Sequence, residues 1–346
     1  MKSDYVKGSQ VIPKQIIIEP TPRCNLQCKG CPATQNTWDV SLSAQKYIAP
    51  KFPLGDMDPA LLRSIIDRVN FETVIIPWCN GEPRLHPEYA GLIRYITDKG
   101  IPCYITTNGT IWNEDLFQHI TGNTSCYQII FSIDGLFDPK SCSQLVARPG
   151  RDPEIIQETV GHFLHLKWEK QSRIDVGIQL CERGQDYEEI EEFIYTWLDT
   201  PGVDYVCVGK ILVGENAPSM RVYPCQFIDH AFMVIRWEGT LVPCDYNDRM
   251  VNQLEWKLGR VEVDDTPLLE LYNSKPFDTL RANQIIGRFL GPCGSCAFAY
   301  TGLGFSGVIN FRHEKWRERA IYYHQDYYNQ FFSLVKKWKS PDYYVR

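Results

Sequence analysis

A chain of 346 residues with 44% hydrophobic and 23% charged residues can bury a large core, and its net charge of −6 excludes a global attraction to nucleic acid or anionic membrane. There is no apolar run of the roughly eighteen residues a membrane span needs, and the opening MKSDYVKGSQ lacks the apolar stretch of an export signal, so a soluble, cytoplasmic protein is expected. Thirteen cysteines, an odd number without an export signal, then point to bound metal rather than to a disulfide framework.

In chain order, six β-rich runs alternate with amphipathic segments. The runs are QIIIEPT (15–21), TVIIPW (73–78), IPCYITTN (101–108), QIIFSID (128–134), IDVGIQL (174–180) and YVCVGK (205–210). Between them, DPALLRSIIDRV, EYAGLIRYITDK, EIIQETVGHFLHLKWEK and DYEEIEEFIYTWL repeat apolar residues three and four apart, as helices do. Such alternation implies right-handed crossovers and a parallel sheet covered by helices. An open sheet and a partial or full barrel both fit at this level.

After Lys210 the pattern changes. ILVGENAPSMRVYP reads as a connector, and residues 220–300 carry short strands, turns and four cysteines. From His313 to Lys339, Trp316, Ala320, Tyr323, Tyr327, Phe331, Leu334 and Trp338 form one apolar helical face. A helix packing back on the body explains it, and its Lys, Arg, Tyr and Phe content also suits a partner-docking role. The expected division is a β/α region over 1–218, a second cysteine-bearing region over 219–300 and a helical extension over 301–346.

Cys24, Cys28 and Cys31 follow directly on the first β run, in TPRCNLQCKGCPAT. In parallel β/α proteins that end of the sheet binds ligands. A structural zinc site usually closes with four protein ligands. Three thiols suit a [4Fe–4S] cluster with one iron left for a small molecule, since full ligation takes four cysteines.

With this triplet after the first strand the chain resembles the radical S-adenosylmethionine (SAM) superfamily, whose signature is Cys-x3-Cys-x2-Cys. The resemblance implies a partial (β/α)6 TIM-type barrel, SAM bound to the open iron, and a 5′-deoxyadenosyl radical that abstracts a substrate hydrogen. One departure is Gly30, where the family often has an aromatic residue against adenine. NGEP, Asn80 to Pro83, matches the family's Gly-Gly-Glu-Pro element, so Gly81, Glu82 and Pro83 are implied to hold the SAM ammonium. TTNG places Asn108 at the third strand end, and SIDG places Ser132 and Asp134 at the fourth, with Ser132 implied to contact the SAM ribose or carboxylate. Arg148 matches an arginine that pairs the SAM carboxylate, and Gln179 near the fifth strand end can face the same cleft.

A second set, Cys225, Cys244, Cys293 and Cys296, resembles the SPASM/Twitch extension of the superfamily, in its shorter one-cluster form. Four thiols can ligate an auxiliary [4Fe–4S] cluster or form a zinc knuckle. Of the remaining cysteines, 79, 103, 126, 142, 181 and 207, most suit burial as small hydrophobes. Cys181, and less so Cys79, lies where a thiol could donate hydrogen to a substrate radical. GLGFSG (302–307) fits a dinucleotide fingerprint but lacks a preceding strand, and the seven histidines lack metal-ligand spacing.

The expected activity is SAM-dependent hydrogen abstraction. A fully ligated auxiliary cluster would then take an electron, oxidising a small polar substrate such as a sugar or aminocyclitol, as the 2-deoxy-scyllo-inosamine dehydrogenase-like members of the subgroup do. A flavodoxin or ferredoxin is implied as reductant. Peptide modification or epimerisation is the alternative within the class. A non-catalytic iron–sulfur or zinc protein that docks a partner is the alternative outside it.

Overall fold

The computed structural model describes residues 10–26, 55–133, 153–182, 187–210, 232–244, 257–263, 266–290, 293 and 307–311. All six expected β runs are strands: β1 Gln15–Ile18, β2 Val74–Ile76, β3 Cys103–Thr107, β4 Cys126–Ser132, β5 Asp175–Glu182 and β6 Tyr205–Lys210. They lie side by side in chain order, each parallel to the next. A doubly wound sheet reverses its strand order at a switch point, and these six strands show no reversal. Successive crossovers in one direction put the helices on one face and make the other face the inside of a partial barrel. This settles the choice between an open sheet and a barrel.

The helices are α1 Pro59–Asp67, α2 Tyr89–Asp98, α3 Glu114–Gly122, α4 Pro153–Glu169 and α5 Tyr187–Asp199. Four match the expected amphipathic segments, and α3 is additional. Its start is encoded locally: the Asn113 side chain accepts from Leu116 N at 2.9 Å, and Glu114 and Asp115 sit in the first turn. Leu116, Phe117 and Ile120 then form its buried face.

Strand alternation sorts side chains between two cores. Ile16 and Ile18 of β1 join the large core between sheet and helices, with Ile105, Ile129, Phe131, Val176 and Ile178. Ile17 turns the other way and meets Ile76, Cys79, Val234 and Val242 on the inner face. Cys103 and Cys126 are register partners across β3 and β4 and are buried in the large core. The thiol contact with Cys103, with burial, pushes the Cys126 thiol well up, so both read as core residues. Cys79 has the same apolar surroundings on the inner face.

The second region continues the same sheet. β7 Phe232–Ile235 pairs parallel with β1 along its whole length, and β8 Thr240–Val242 and β9 Gly259–Arg260 follow antiparallel. Two short helices, α6 Leu268–Tyr272 and α7 Lys275–Ile285, come next. Arg68, just after α1, donates to the carbonyls of Glu262 and Thr266 at 2.9 Å each. Asn273 brackets Val11, accepting from its N–H at 2.7 Å and donating to its carbonyl at 2.9 Å. Within the segment from 301, β10 Gly307–Phe311 pairs antiparallel with β6. Its Gly-Val-Ile-Asn-Phe has β-branched residues that suit a strand. The predicted helix over 313–339 lies outside the described residues. Among the described residues no helix is long and apolar enough to cross a membrane.

Candidate active site

The C-terminal ends of β1, β2, β3 and β7 share one end of the sheet, because all four run parallel. Glu19, the first residue after β1, is completely buried there. Its Oε1 accepts from Asn80 N at 3.3 Å and Asn80 Nδ2 at 3.1 Å. Its Oε2 accepts from Arg236 Nε at 2.6 Å and Trp237 N at 3.4 Å. Burial works against the Arg236 charge, but the Glu19 carboxylate and Cys79 beside it outweigh that and hold the guanidinium protonated. One carboxylate therefore joins three strand ends.

The cysteine loop rests on this base. Thr21 donates its hydroxyl to Gly55 O at 2.9 Å, and Arg23 Nη2 reaches Asp56 and Leu85 O at 2.7 Å each. Glu82 N donates to Arg23 O at 2.8 Å. Gly81 lies beneath this contact with φ +73°, and a Cβ there would stand 2.3 Å from Arg23 O. The glycine of NGEP is thus required by close backbone approach between the β2 loop and the cysteine loop. Gly81→Ala should lower stability by about 2 kcal/mol from backbone strain alone. Thermal unfolding will show it as a fall in Tm, together with poorer iron retention.

Glu82 is held at the end of the β2 loop by its neighbours. Its side chain is 1% exposed. Oε1 accepts from Arg84 N and Nε at 3.2 Å and from Thr107 Oγ1 at 2.9 Å, while Oε2 accepts from Asn108 N at 2.7 Å. Glu82 thereby clamps the β2 loop to the end of β3, and Pro83 opens the buried 3₁₀ turn Pro83–Leu85 behind it. Burial pulls the Arg84 pKa down against the Glu82 charge, and its guanidinium lies 5.0 Å from the Phe117 ring centroid.

Cys24 stands on top of this platform. Its sulfur receives Leu26 N at 3.4 Å and Asn108 Nδ2 at 3.8 Å. Asn108 also donates to Asn25 Oδ1 at 2.8 Å, and Asn25 donates to Thr110 Oγ1 at 2.8 Å. N–H groups directed at a sulfur favour the thiolate that a metal ligand must be. The donor set at Cys24 therefore fits an iron–sulfur ligand. Cys28 and Cys31 lie outside the described residues.

Further round the barrel, Ser132, Gln179 and Cys207 are register partners across β4, β5 and β6. Cys207 Sγ and Gln179 Oε1 are 4.0 Å apart. One layer below, Tyr205 hydrogen-bonds Gln128 and fills the space over Gly177, where any Cβ would collide with its ring. Burial, with Cys207 and Asp175 nearby, pushes the Tyr205 hydroxyl well above its ordinary pKa, so it stays a neutral donor. Cys181 pairs with Gly209 at the end of the same strand row. Asp134 and Arg148 lie outside the described residues.

Of the second cysteine set, Cys244 follows β8 directly and Cys293 packs against the large core. Cys225 and Cys296 lie outside the described residues. His86 and His119 have structural partners, Met57 O and Thr97 Oγ1, each at 2.8 Å. Sequence reasoning missed Glu19, Asn25, Thr110, Tyr205, Cys207 and Arg236. A signal existed for two of them, since Glu19 and Arg236 are charged residues set directly against apolar β runs.

Comparison with known proteins agrees with this geometry. The radical SAM superfamily model matches residues 18–195, and the SPASM model, an iron-sulfur cluster-binding domain, matches residues 225–297. The second match favours iron–sulfur over zinc for the second cysteine set. A tungsten-containing aldehyde ferredoxin oxidoreductase cofactor-modifying protein of Pyrococcus furiosus is 23% identical over 67% of this chain and 70% of its own length. An AdoMet-dependent heme synthase of Nitratidesulfovibrio vulgaris is 29% identical over 35% of this chain and 30% of its own length. Among solved structures, Streptococcus suis SuiB bound to S-adenosylmethionine superposes with TM-score 0.57 at 16% identity, covering 78% of this chain and 68% of SuiB. The triplet, the six parallel strands in chain order and the 18–195 match together establish that this chain belongs to the radical SAM superfamily.

Proposed function

We propose that this radical SAM enzyme oxidises a small polar substrate such as a sugar or aminocyclitol and passes one electron to an auxiliary [4Fe–4S] cluster in the second region. Cys24, Cys28 and Cys31 would hold the first cluster, and Cys225, Cys244, Cys293 and Cys296 the second. When bound, the first cluster and SAM supply a carbon radical able to take a hydrogen atom from the substrate.

The observation that carries this reading is the junction of the two regions. β7 adds to β1 along its length, and Arg236 at its end is ion-paired with Glu19. The strand leading to Cys24 and the hairpin leading to Cys244 are therefore one rigid unit, as an electron relay requires. The inner face supports the substrate class. Ser132, Gln179, Gln128 and Tyr205 offer neutral donors and acceptors that suit hydroxyl or amide groups. For an alcohol, loss of a carbon-bound hydrogen atom, the hydroxyl proton and one electron would leave a ketone, the proton passing to solvent and the electron to the group that Cys225, Cys244, Cys293 and Cys296 would hold. Ser132 would contact the SAM ribose or carboxylate, Gln179 would face the same cleft, and Cys181 is the candidate thiol should a hydrogen atom be returned instead.

Modification of a peptide is the second reading. It draws on the fold likeness to SuiB, one of whose structures is bound to precursor peptide SuiA. The Pyrococcus relative, named as cofactor-modifying, favours a small molecule. The test is anaerobic turnover of the reconstituted enzyme with SAM, dithionite and a panel of aminocyclitols, sugars and peptides. Chromatography should show 5′-deoxyadenosine, and the product should be two hydrogens lighter than its substrate. An unoxidised product carrying one solvent-derived hydrogen would replace oxidation by epimerisation.

A further inference from the structure

We propose that Asn108 is a positioning residue that sets the reduction potential of the first cluster, by donating from its amide to the Cys24 sulfur. The inference rests on Cys24 being a ligand of that cluster.

The orientation of the Asn108 amide follows from its partners. Thr110 N is unambiguously a donor and lies 3.0 Å from one terminal atom of Asn108, so that atom is the oxygen. Thr110 Oγ1, at 2.6 Å, donates to the same oxygen. The other terminal atom is then the nitrogen, with two protons to place. One meets Asn25 Oδ1 at 2.8 Å, and the other is directed to Cys24 Sγ at 3.8 Å. Asn25 completes the ring by donating to Thr110 Oγ1 at 2.8 Å. The Asn108 backbone is fixed as well, since its N–H reaches the Glu82 carboxylate at 2.7 Å. The amide is thus locked by side chain and main chain alike.

Reduction of a [4Fe–4S] cluster adds one electron and no proton, so negative charge rises on the ligating sulfurs. A donor fixed on one sulfur stabilises the reduced form more than the oxidised form and raises the potential. Leu26 N, at 3.4 Å, donates to the same sulfur but belongs to the main chain. Asn108 is the adjustable donor, and it comes from a strand end on the far side of the β2 loop.

The experiment is an EPR-monitored redox titration of the full-length reconstituted protein, following the cluster signal that changes on SAM addition. Asn108→Ala removes the donor. Asn108→Asp removes it while keeping an oxygen for Thr110 N, and so covers the case in which the alanine variant fails to fold. With iron content unchanged, the reduced-to-oxidised ratio at fixed potential should fall roughly tenfold, which is about 59 mV for a one-electron couple. The auxiliary cluster should titrate as in the parent protein, a difference that a merely structural role would not produce. Parent-like potentials for the SAM-responsive cluster in a loaded variant would overturn the proposal. Cys24→Ala separates the two levels: persistence of the SAM-responsive signal in that variant would remove the ligand assignment itself, whatever Asn108 does.

Discussion

Glu19→Ala should destabilise the protein by about 3–5 kcal/mol, the usual result of leaving one member of a buried ion pair without its partner. Arg236 would lose its carboxylate in a site where it is nearly inaccessible, and Asn80 and Trp237 would lose an acceptor in the same step. Urea unfolding measures the change. The double variant Glu19→Met with Arg236→Met is the informative control. Apolar side chains of similar length remove both charges together, so it should recover much of the loss. If the loss in the double variant equals the sum of the losses in Glu19→Met and Arg236→Met alone, the two side chains contribute independently through packing and not as an ion pair. Loss of the pair should also loosen β7 against β1, which hydrogen exchange at Ile16 to Ile18 would report as faster exchange.

Cys24→Ala should leave the protein folded and abolish SAM cleavage. The Cys24 thiol contacts Leu26 N and Asn108 Nδ2 at the loop surface, whereas the platform beneath is held by Thr21, Arg23, Glu82 and Asn25. Removing the sulfur therefore takes away a ligand without taking away the platform. Iron content should fall from about eight to about four per chain, because the second cysteine set keeps its own cluster. No 5′-deoxyadenosine should form with SAM and dithionite, while Tm stays close to that of the parent protein under the same loading. Retention of about eight irons would show that Cys24 is not a ligand.

The barrel was legible because its strands and helices are encoded locally. QIIIEPT and QIIFSID announce strands by β-branched runs, and DPALLRSIIDRV announces a helix by its apolar spacing. Helix α3 was missed because its buried face is short, although Asn113 and the acids after it mark its start. Pairing partners were not legible. Nothing within FMVI states that it will lie beside Ile16 and Ile17, over two hundred residues earlier, because register is a property of two segments together. The site divides in the same way. Three cysteines at fixed spacing carry their chemistry in one loop, whereas the Glu19 hub and the Asn25–Asn108–Thr110 ring are assembled from distant strand ends. Glu82 shows the limit of motif reading, since NGEP gives its place in the chain but not the bonds of its carboxylate to Thr107, Asn108 and Arg84.

The position of β1 has a consequence for synthesis on the ribosome. Among the described strands it precedes all others in the chain, yet its two neighbours are β2 and β7, and the second of these begins at Phe232. One hydrogen-bonding edge of β1 therefore stays open while more than two hundred further residues are translated. At the opposite margin the edge of β6 waits for Gly307–Phe311, almost a hundred residues on. Nascent chains of this protein carry two sticky strand margins until those segments emerge, so a product stalled before Phe232 is expected to aggregate where the longer chain does not.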